Sequence, residues 1–165
     1  MKNLTVIFLL FPFLALAQVK VFVETDTMSG ETYTYSDRVF LVVNQEKTKG
    51  FKVDNVLNND FTLRALYVTM YGIGSCNEND EIIILFESGD KIIKKSFASF
   101  NCEGEAFFKF TDTELNLLRK LPIAKIRMTN GSTFDSFTGD VRPEDKTYFI
   151  QLFNLLDNKK VIVKN

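Results

Sequence analysis

Apolar and polar residues alternate with a period of two along much of the chain, which predicts β-strands. The clearest run is Leu63 to Tyr71, where Leu66, Val68 and Met70 fall on one face. The run Ile82 to Phe86 is apolar throughout, which predicts a central strand covered on both sides. Further strands are expected at Val19–Thr25, Arg38–Val43, Phe51–Val53 and Ala106–Phe110.

Two segments change from strand spacing to helical spacing. Thr111 and Glu114 match a capping box, and the following leucines predict a helix that ends at Pro122. The segment Asp145 to Leu156 is amphipathic and predicts a second helix packed on the sheet. Its apolar positions at helical spacing are Phe149, Leu152, Phe153 and Leu156.

The two cysteines, Cys76 and Cys102, are predicted to form a structural disulfide at the base of a hairpin. The strands of this hairpin are expected at Glu81–Phe86 and Lys91–Lys94, with Gly89 at the centre of a three-residue loop. In that register the two cysteines lie opposite each other, beyond the open end of the hairpin. A disulfide persists in the oxidising compartments that an exported protein enters.

A second hairpin is predicted from Ile123 to Thr138 around an Asn-Gly turn. A three-residue loop, Asn130–Ser132, would place Met128 opposite Phe134 and Arg127 opposite Asp135. Apolar side chains then meet each other across the strands, and so do opposite charges. The same three residues form a glycosylation sequon, and the turn is the preferred interpretation.

The order of elements predicts the fold class, because strands dominate early and a helix, a hairpin and a helix follow. We expect an α+β fold with a mainly antiparallel sheet, open or a partial barrel, on which the C-terminal amphipathic helix packs. Val161–Val163 is expected to add an edge strand. Lys159, Lys160 and Lys164 would discourage that edge from pairing with another chain.

Residues 1–17 have the features of a cleaved secretory signal peptide. Lys2 precedes an apolar run, and Ala15-Leu16-Ala17 fits a cleavage site. The alternative is a membrane anchor, but the run is about 13 residues and a spanning helix needs roughly 20. We therefore expect residues 18–165 to form a single domain that is periplasmic or extracellular, with no membrane span after cleavage.

Composition excludes several classes of function. The 165 residues include no His, which excludes His-based catalytic triads and His metal ligands. The net charge of −1 is far from the basic charge of a nucleic-acid-binding protein.

The acidic loop Asn77–Glu81 offers oxygen ligands for calcium but lacks EF-hand spacing and its glycine, so a solvated loop is preferred. We predict no cofactor, no metal site and no catalytic residue.

Four tyrosines are the candidate ligand-binding residues. Tyr33, Tyr35, Tyr67 and Tyr71 alternate along two predicted strands. If both strands present them outward, they form an aromatic surface suited to a protein, a peptide or a glycan, because Tyr combines apolar area with a polar tip. The alternative is that these tyrosines pack beneath a helix or a loop.

Two functions from different classes are compatible with this sequence. The favoured one is an exported, non-catalytic binding module. The alternative is a His-free hydrolase or lyase that uses carboxylates, with or without calcium. Exposed, clustered tyrosines would favour the binding module, and a deep pocket with two carboxyls of raised pKa would favour the enzyme.

Overall fold

A computed structural model describes residues 19–37, 39–58, 60–74, 76–97 and 101–164, without the side chains of Phe40 and Arg64. The expected signal peptide lies outside these ranges. The described strands are β1 (Val21–Thr25), β2 (Thr32–Ser36), β3 (Val39–Val43), β4 (Gly50–Leu57), β5 (Leu63–Tyr71), β6 (Glu81–Phe86), β7 (Lys91–Lys95), β8 (Glu105–Phe108), β9 (Ile123–Thr129), β10 (Ser136–Asp140) and β11 (Ile162–Lys164). The helices are α1 (Asp112–Lys120) and α2 (Tyr148–Asp157), and a single 3₁₀ turn covers Pro143–Asp145.

The strands form two sheets, where the sequence predicted a mainly antiparallel arrangement that was open or a partial barrel. The larger sheet has the order β11–β1–β2–β4–β5–β8, and β3 pairs with the first half of β4. The smaller sheet has the order β10–β9–β6–β7. All neighbouring strands are antiparallel except β1 and β11, which are parallel. The predicted α+β class with a mainly antiparallel arrangement is therefore confirmed.

One apolar core joins the inner faces of the two sheets and the two helices. Phe51 of β4 contacts Phe137 of β10 edge to face, with ring centroids 6.2 Å apart. Gly139 of β10 lies so close to Val42 of β3 that an added Cβ would come within 2.1 Å of its side chain. The sheets thus pack face to face at this end, and a side chain at Gly139 would force them apart.

The elements with strong local patterns were predicted well. In β5, Leu66, Val68 and Met70 share the buried face. In α1, Thr111 and Glu114 form the predicted capping box. Helix α2 begins three residues later than expected, after the 3₁₀ turn, and buries all four residues of its predicted apolar face.

The interpretation of Ile82–Phe86 was only partly correct. Strand β6 is central, with β7 and β9 on its two sides. However, its side chains alternate, so that Ile82, Ile84 and Phe86 are buried while Ile83 and Leu85 are partly exposed. Within the described residues, the other layer covers only one face of the smaller sheet, so an apolar run here does not indicate burial on both faces.

The predicted registers of both hairpins were wrong. The β6–β7 loop is centred on Ser88, because Phe86 exchanges backbone hydrogen bonds with residues 89 and 90 while Gly89 takes the left-handed conformation at φ 91°. The Asn130 loop spans six residues, so that Phe137, not Phe134, lies opposite Met128. Phe134 is instead 80% exposed.

The disulfide Cys76–Cys102 is present. Beside it, Asn77 and Asn101 form an antiparallel bridge. The loop-closure entropy for a sequence separation of 26 corresponds to a stabilisation of about 3 kcal/mol. The cysteines meet although the predicted register placed each residue two positions from its actual partner. They do so because the chain turns away from β6 after β7, where the N–H of Phe97 bonds the Phe107 carbonyl.

Buried polar contacts explain the long Asn130 loop. The Asn130 side chain is fully buried and donates from Nδ2 to the Cys76 carbonyl at 2.7 Å. The N–H of Gly131 donates to Asp80 Oδ1 at 2.9 Å, and a Cβ there would lie 1.9 Å from the Glu78 carbonyl oxygen. These contacts tie the loop to the disulfide region, so the loop conformation depends on tertiary contacts more than on the turn itself.

None of the described helices combines the length and apolar composition that a bilayer crossing needs.

Candidate functional site

The strand register places the four predicted tyrosines on one face of the larger sheet. Val56 of β4 lies opposite Tyr35 of β2, and Asp54 lies opposite Tyr67 of β5. Directly opposed residues share a face, as do residues two apart along one strand. This face is the outer one, because the core residues of β4 and β5 alternate with these positions.

Tyr35 belongs to an aromatic group that also includes Phe22 and Tyr33. Phe22 of β1 pairs with Tyr35 across the strands, and their rings stack with centroids 5.5 Å apart. Tyr33 lies two residues away along β2 and is 49% exposed. We call these three residues the β2 aromatic cluster. Its rings offer an apolar surface, of which Tyr33 is the most exposed part.

Hydroxyl groups on this face are held by carboxylates. Tyr33 donates to Glu31 and Tyr35 donates to Glu24, each at 2.6 Å. Tyr67 donates to Glu105 in the same way. The hydrogen bond to Glu31 raises the pKa of Tyr33 above its usual value. These bonds hold the rings in fixed orientations, which lowers the entropy cost when a ligand packs on them.

Tyr67 belongs to a second group on the same face. Its ring lies 4.8 Å from the ring of Phe107 on β8, and Phe107 contacts Phe97 edge to face at 6.1 Å. The ammonium of Lys109 lies 4.5 Å from the Phe97 ring centroid. We call Tyr67, Phe107 and Phe97 the β5 aromatic cluster. Strand β4 separates the two clusters, and two strand spacings correspond to about 10 Å.

Tyr71 is not brought together with the other three tyrosines. It is 42% exposed and lies opposite Gly50, at the far end of β5 from the β2 aromatic cluster. The four residues therefore share a face without forming one continuous patch. Tyr33 and Tyr35 form the most compact pair.

Three shallow depressions adjoin Tyr35, with volumes of about 620, 550 and 590 Å³. The first extends from Tyr33 and Tyr35 towards Val56 and Asn58. The second contains Asp37 and Asp54, and the third contains Glu24 and Asp26. Tyr35 lines all three depressions, which places it at the centre of this part of the surface.

Three residues that were not predicted as site residues also belong to this face: Phe22, Phe107 and Lys164. The alternation of Val21–Thr25 already places Phe22 and Glu24 on the face opposite Val21, and that signal could have identified Phe22. Lys164 reaches the face through the parallel pairing of β11 with β1, in which Glu24 lies opposite Lys164. No local pattern encodes that pairing.

The enzyme alternative calls for carboxyls of raised pKa in a deep pocket, and Asp145 is a carboxyl whose pKa is raised. Burial raises the pKa of Asp145, and Arg142, whose Nε lies 2.7 Å from its carboxylate, opposes this rise. Asp145 thus has a raised pKa but is already engaged in an ion pair, and it lines none of the depressions described above.

The acidic loop considered for calcium uses one of its three carboxylates for folding. Asp80 is buried and accepts hydrogen bonds from Asn77 Nδ2 and the N–H of Gly131, each at 2.9 Å. Among the described residues, no group of three acidic or cysteine side chains is arranged to hold a metal ion.

Comparisons with known proteins assign the chain to no family. No protein-family model matches it, and no curated protein or solved structure matches it either.

Proposed function

We propose that this protein is an exported, non-catalytic binding module whose ligand site is the β2 aromatic cluster. The observation that carries the proposal is the position of Tyr33 and Tyr35 on the outer face, where Tyr35 lines three depressions. The ligand is a protein, a peptide or a glycan. Each of these can use an aromatic surface with polar groups at its edge.

Two further features support the proposal. The tyrosine hydroxyls are already oriented by Glu24 and Glu31, so that little side-chain freedom remains to be lost on binding. The disulfide Cys76–Cys102 is compatible with an exported location. A carboxylate-dependent hydrolase or lyase has less support, because the raised-pKa carboxyl of Asp145 is held by Arg142 away from the depressions.

Site-specific photocrosslinking tests the location of the ligand site. A photoreactive benzophenone amino acid replaces Tyr33 in the full chain, which is produced in its native host and irradiated. We expect a covalent adduct to one dominant protein, peptide or glycan, identified by mass spectrometry. The reactive group reports on the β2 aromatic cluster because Tyr33 is the most exposed of its three residues.

Phe134 provides the matched control, because it is an exposed aromatic residue in a loop of the smaller sheet. The same replacement at Phe134 should give no such adduct. Equal adducts from both positions, or an adduct from Phe134 alone, would show that the ligand binds elsewhere. Turnover of a captured substrate by the purified wild-type chain would replace the binding module with the enzyme alternative.

A further inference from the structure

The side chain of Lys164 occupies the β2 aromatic cluster as a ligand would. Its ammonium lies 4.3 Å from the ring centroid of Phe22 and 5.1 Å from that of Tyr35. It also donates to the Tyr35 hydroxyl at 2.8 Å, and that hydroxyl donates onward to Glu24. Two ring faces and a carboxylate-linked hydroxyl are the groups that recognise an ammonium ion.

The charges around Lys164 favour a cation at this position. Lys164 is the basic residue that lines two of the depressions, and four carboxylates line the same two depressions. The four are Glu24, Asp26, Asp37 and Asp54. The hydrogen bond with Tyr35, together with the charges of Glu24 and Asp37, raises the pKa of Lys164 above its usual value. A positive group in this place is therefore stabilised by the Tyr35 hydroxyl and by the nearby carboxylates.

The strand that carries Lys164 is weakly held. Strand β11 has three residues, fewer than the usual five or six, and all three side chains are exposed. It lies at the edge of the sheet, and among the described strands β1 is its one pairing partner. Short, exposed edge elements open at much lower free energy than the core of a domain. The ammonium can thus leave the cluster without unfolding the sheet.

We propose that the β2 aromatic cluster binds the lysine side chain of an extended basic peptide, which takes the place of β11 beside β1, and that Lys164 is its intramolecular competitor. This proposal rests on the proposed function and specifies its ligand. Backbone pairing with β1 supplies affinity, and the aromatic rings with their carboxylates select the ammonium group.

The test measures binding of a labelled peptide to the full chain and uses Lys164→Met, which keeps an apolar stem and removes the charge. The probe is the five-residue peptide of residues 160–164, Lys-Val-Ile-Val-Lys, with fluorescein at its amino terminus. In the wild type, Lys164 occupies the site in most molecules, so that only a minor fraction is free to bind the probe. Removing this competitor frees the site and should tighten binding about tenfold. Lys160→Ala removes the same charge from the same segment and should bind as the wild type does.

Two further arms examine the chemistry of recognition. The probe whose last lysine is acetylated should lose the gain seen in Lys164→Met. Phe22→Leu added to Lys164→Met should also lose it, while circular dichroism and thermal unfolding confirm that the double variant is folded. Equal affinities of the wild type and Lys164→Met, or equal binding of the acetylated probe, would overturn the proposal.

Failure of this proposal is distinguishable from failure of the proposed function. If no lysine peptide binds but the photoreactive group at residue 33 still captures a glycan or a non-basic protein, the cation site is wrong and the binding module stands. If residue 33 captures nothing and the lysine peptide does not bind, both proposals fail.

Discussion

Two tyrosines lie on opposite faces of the same sheet and make contrasting use of the same hydroxyl chemistry. On the inner face, Tyr148 of α2 is 2% exposed; it donates to the Asp37 carbonyl, accepts from Asn55 Nδ2 at 2.6 Å and shares a 3.1 Å contact with Ser36. On the outer face, Tyr35 is partly exposed and its hydroxyl joins two charged groups, Glu24 and Lys164.

The difference lies in what each hydroxyl would lose if its partners moved. Around Tyr148 the partners are neutral and buried, so a broken hydrogen bond leaves a polar group without water, which is costly. Around Tyr35 the partners are charged and close to solvent, so water can replace the ammonium of Lys164 at little cost while Glu24 still accepts the hydrogen bond of the hydroxyl. The inner arrangement is suited to fixing α2 on the sheet, and the outer one to exchanging a partner.

Truncation should separate the two tyrosines most strongly. Tyr148→Ala removes a buried ring and should lower the free energy of unfolding by about 3–5 kcal/mol, the range for aromatic truncations in cores. Tyr35→Ala loses mainly its stacking on Phe22 and should cost about 0.5–1.5 kcal/mol. Urea denaturation followed by far-ultraviolet circular dichroism measures both. Similar losses for the two variants would contradict the contrast.

Removal of the inner hydroxyl alone should still destabilise the protein. Tyr148→Phe keeps the ring but removes a partner from Asn55 and Ser36, so we expect a loss of about 1–3 kcal/mol. Tyr33→Phe removes only an exposed hydrogen bond to Glu31 on the outer face and should change the stability by less than about 0.5 kcal/mol. The same urea titration tests both, and a Tyr148→Phe protein as stable as the wild type would show that the buried network contributes nothing net.

Alkaline pH should expose the inner tyrosine through its protonation. Burial raises the pKa of Tyr148 well above its usual value, so the folded protein retains this proton where the unfolded chain loses it. The associated stability is therefore fully present below the unfolded pKa of about 10 and falls as pH rises above it, by at most about 1.4 kcal/mol per pH unit.

Tyr148→Phe is the control for this pH dependence. Between pH 9 and pH 11 its free energy of unfolding should fall less steeply than that of the wild type. The two slopes should differ by at most about 1.4 kcal/mol per pH unit, which corresponds to one proton. Parallel slopes for the two proteins would mean that Tyr148 ionises as readily in the folded state as in the unfolded chain.

The sequence predicted elements whose signals are local. The capping box of Thr111 and Glu114 lies within one turn of α1, and the apolar face of α2 is visible at helical spacing. The alternation of β5 identified its buried face, because one neighbouring layer covers it. In each case the residues that decide the structure are near one another in the chain.

Elements that depend on distant contacts could not be predicted in the same way. The six-residue Asn130 loop exists because Asn130 and Gly131 bind groups near the disulfide, which no turn pattern encodes. The β2 aromatic cluster includes Phe22 of β1, and the ammonium that lies against it belongs to Lys164 of β11, far away along the chain. Alternation alone could place Tyr33 and Tyr35 on one face, but not the cation that lies beside them.

The smallest expected effect is the removal of the outer hydroxyl. Tyr35→Phe keeps the stacking on Phe22 and removes the atom that links Lys164 to Glu24, so stability should change by less than about 0.5 kcal/mol. This small loss should shrink further in 1 M NaCl, because the Debye length is then about 3 Å and the attraction between exposed charges is screened. Urea titrations at low and high salt measure this loss, with Tyr148→Phe as the salt-insensitive reference.

A loss as large as that of Tyr148→Phe, unchanged by salt, would show that Lys164 and Glu24 hold Tyr35 as firmly as the buried network holds Tyr148. In that case the outer cluster would be part of the scaffold, because a partner held so firmly cannot be exchanged for a ligand.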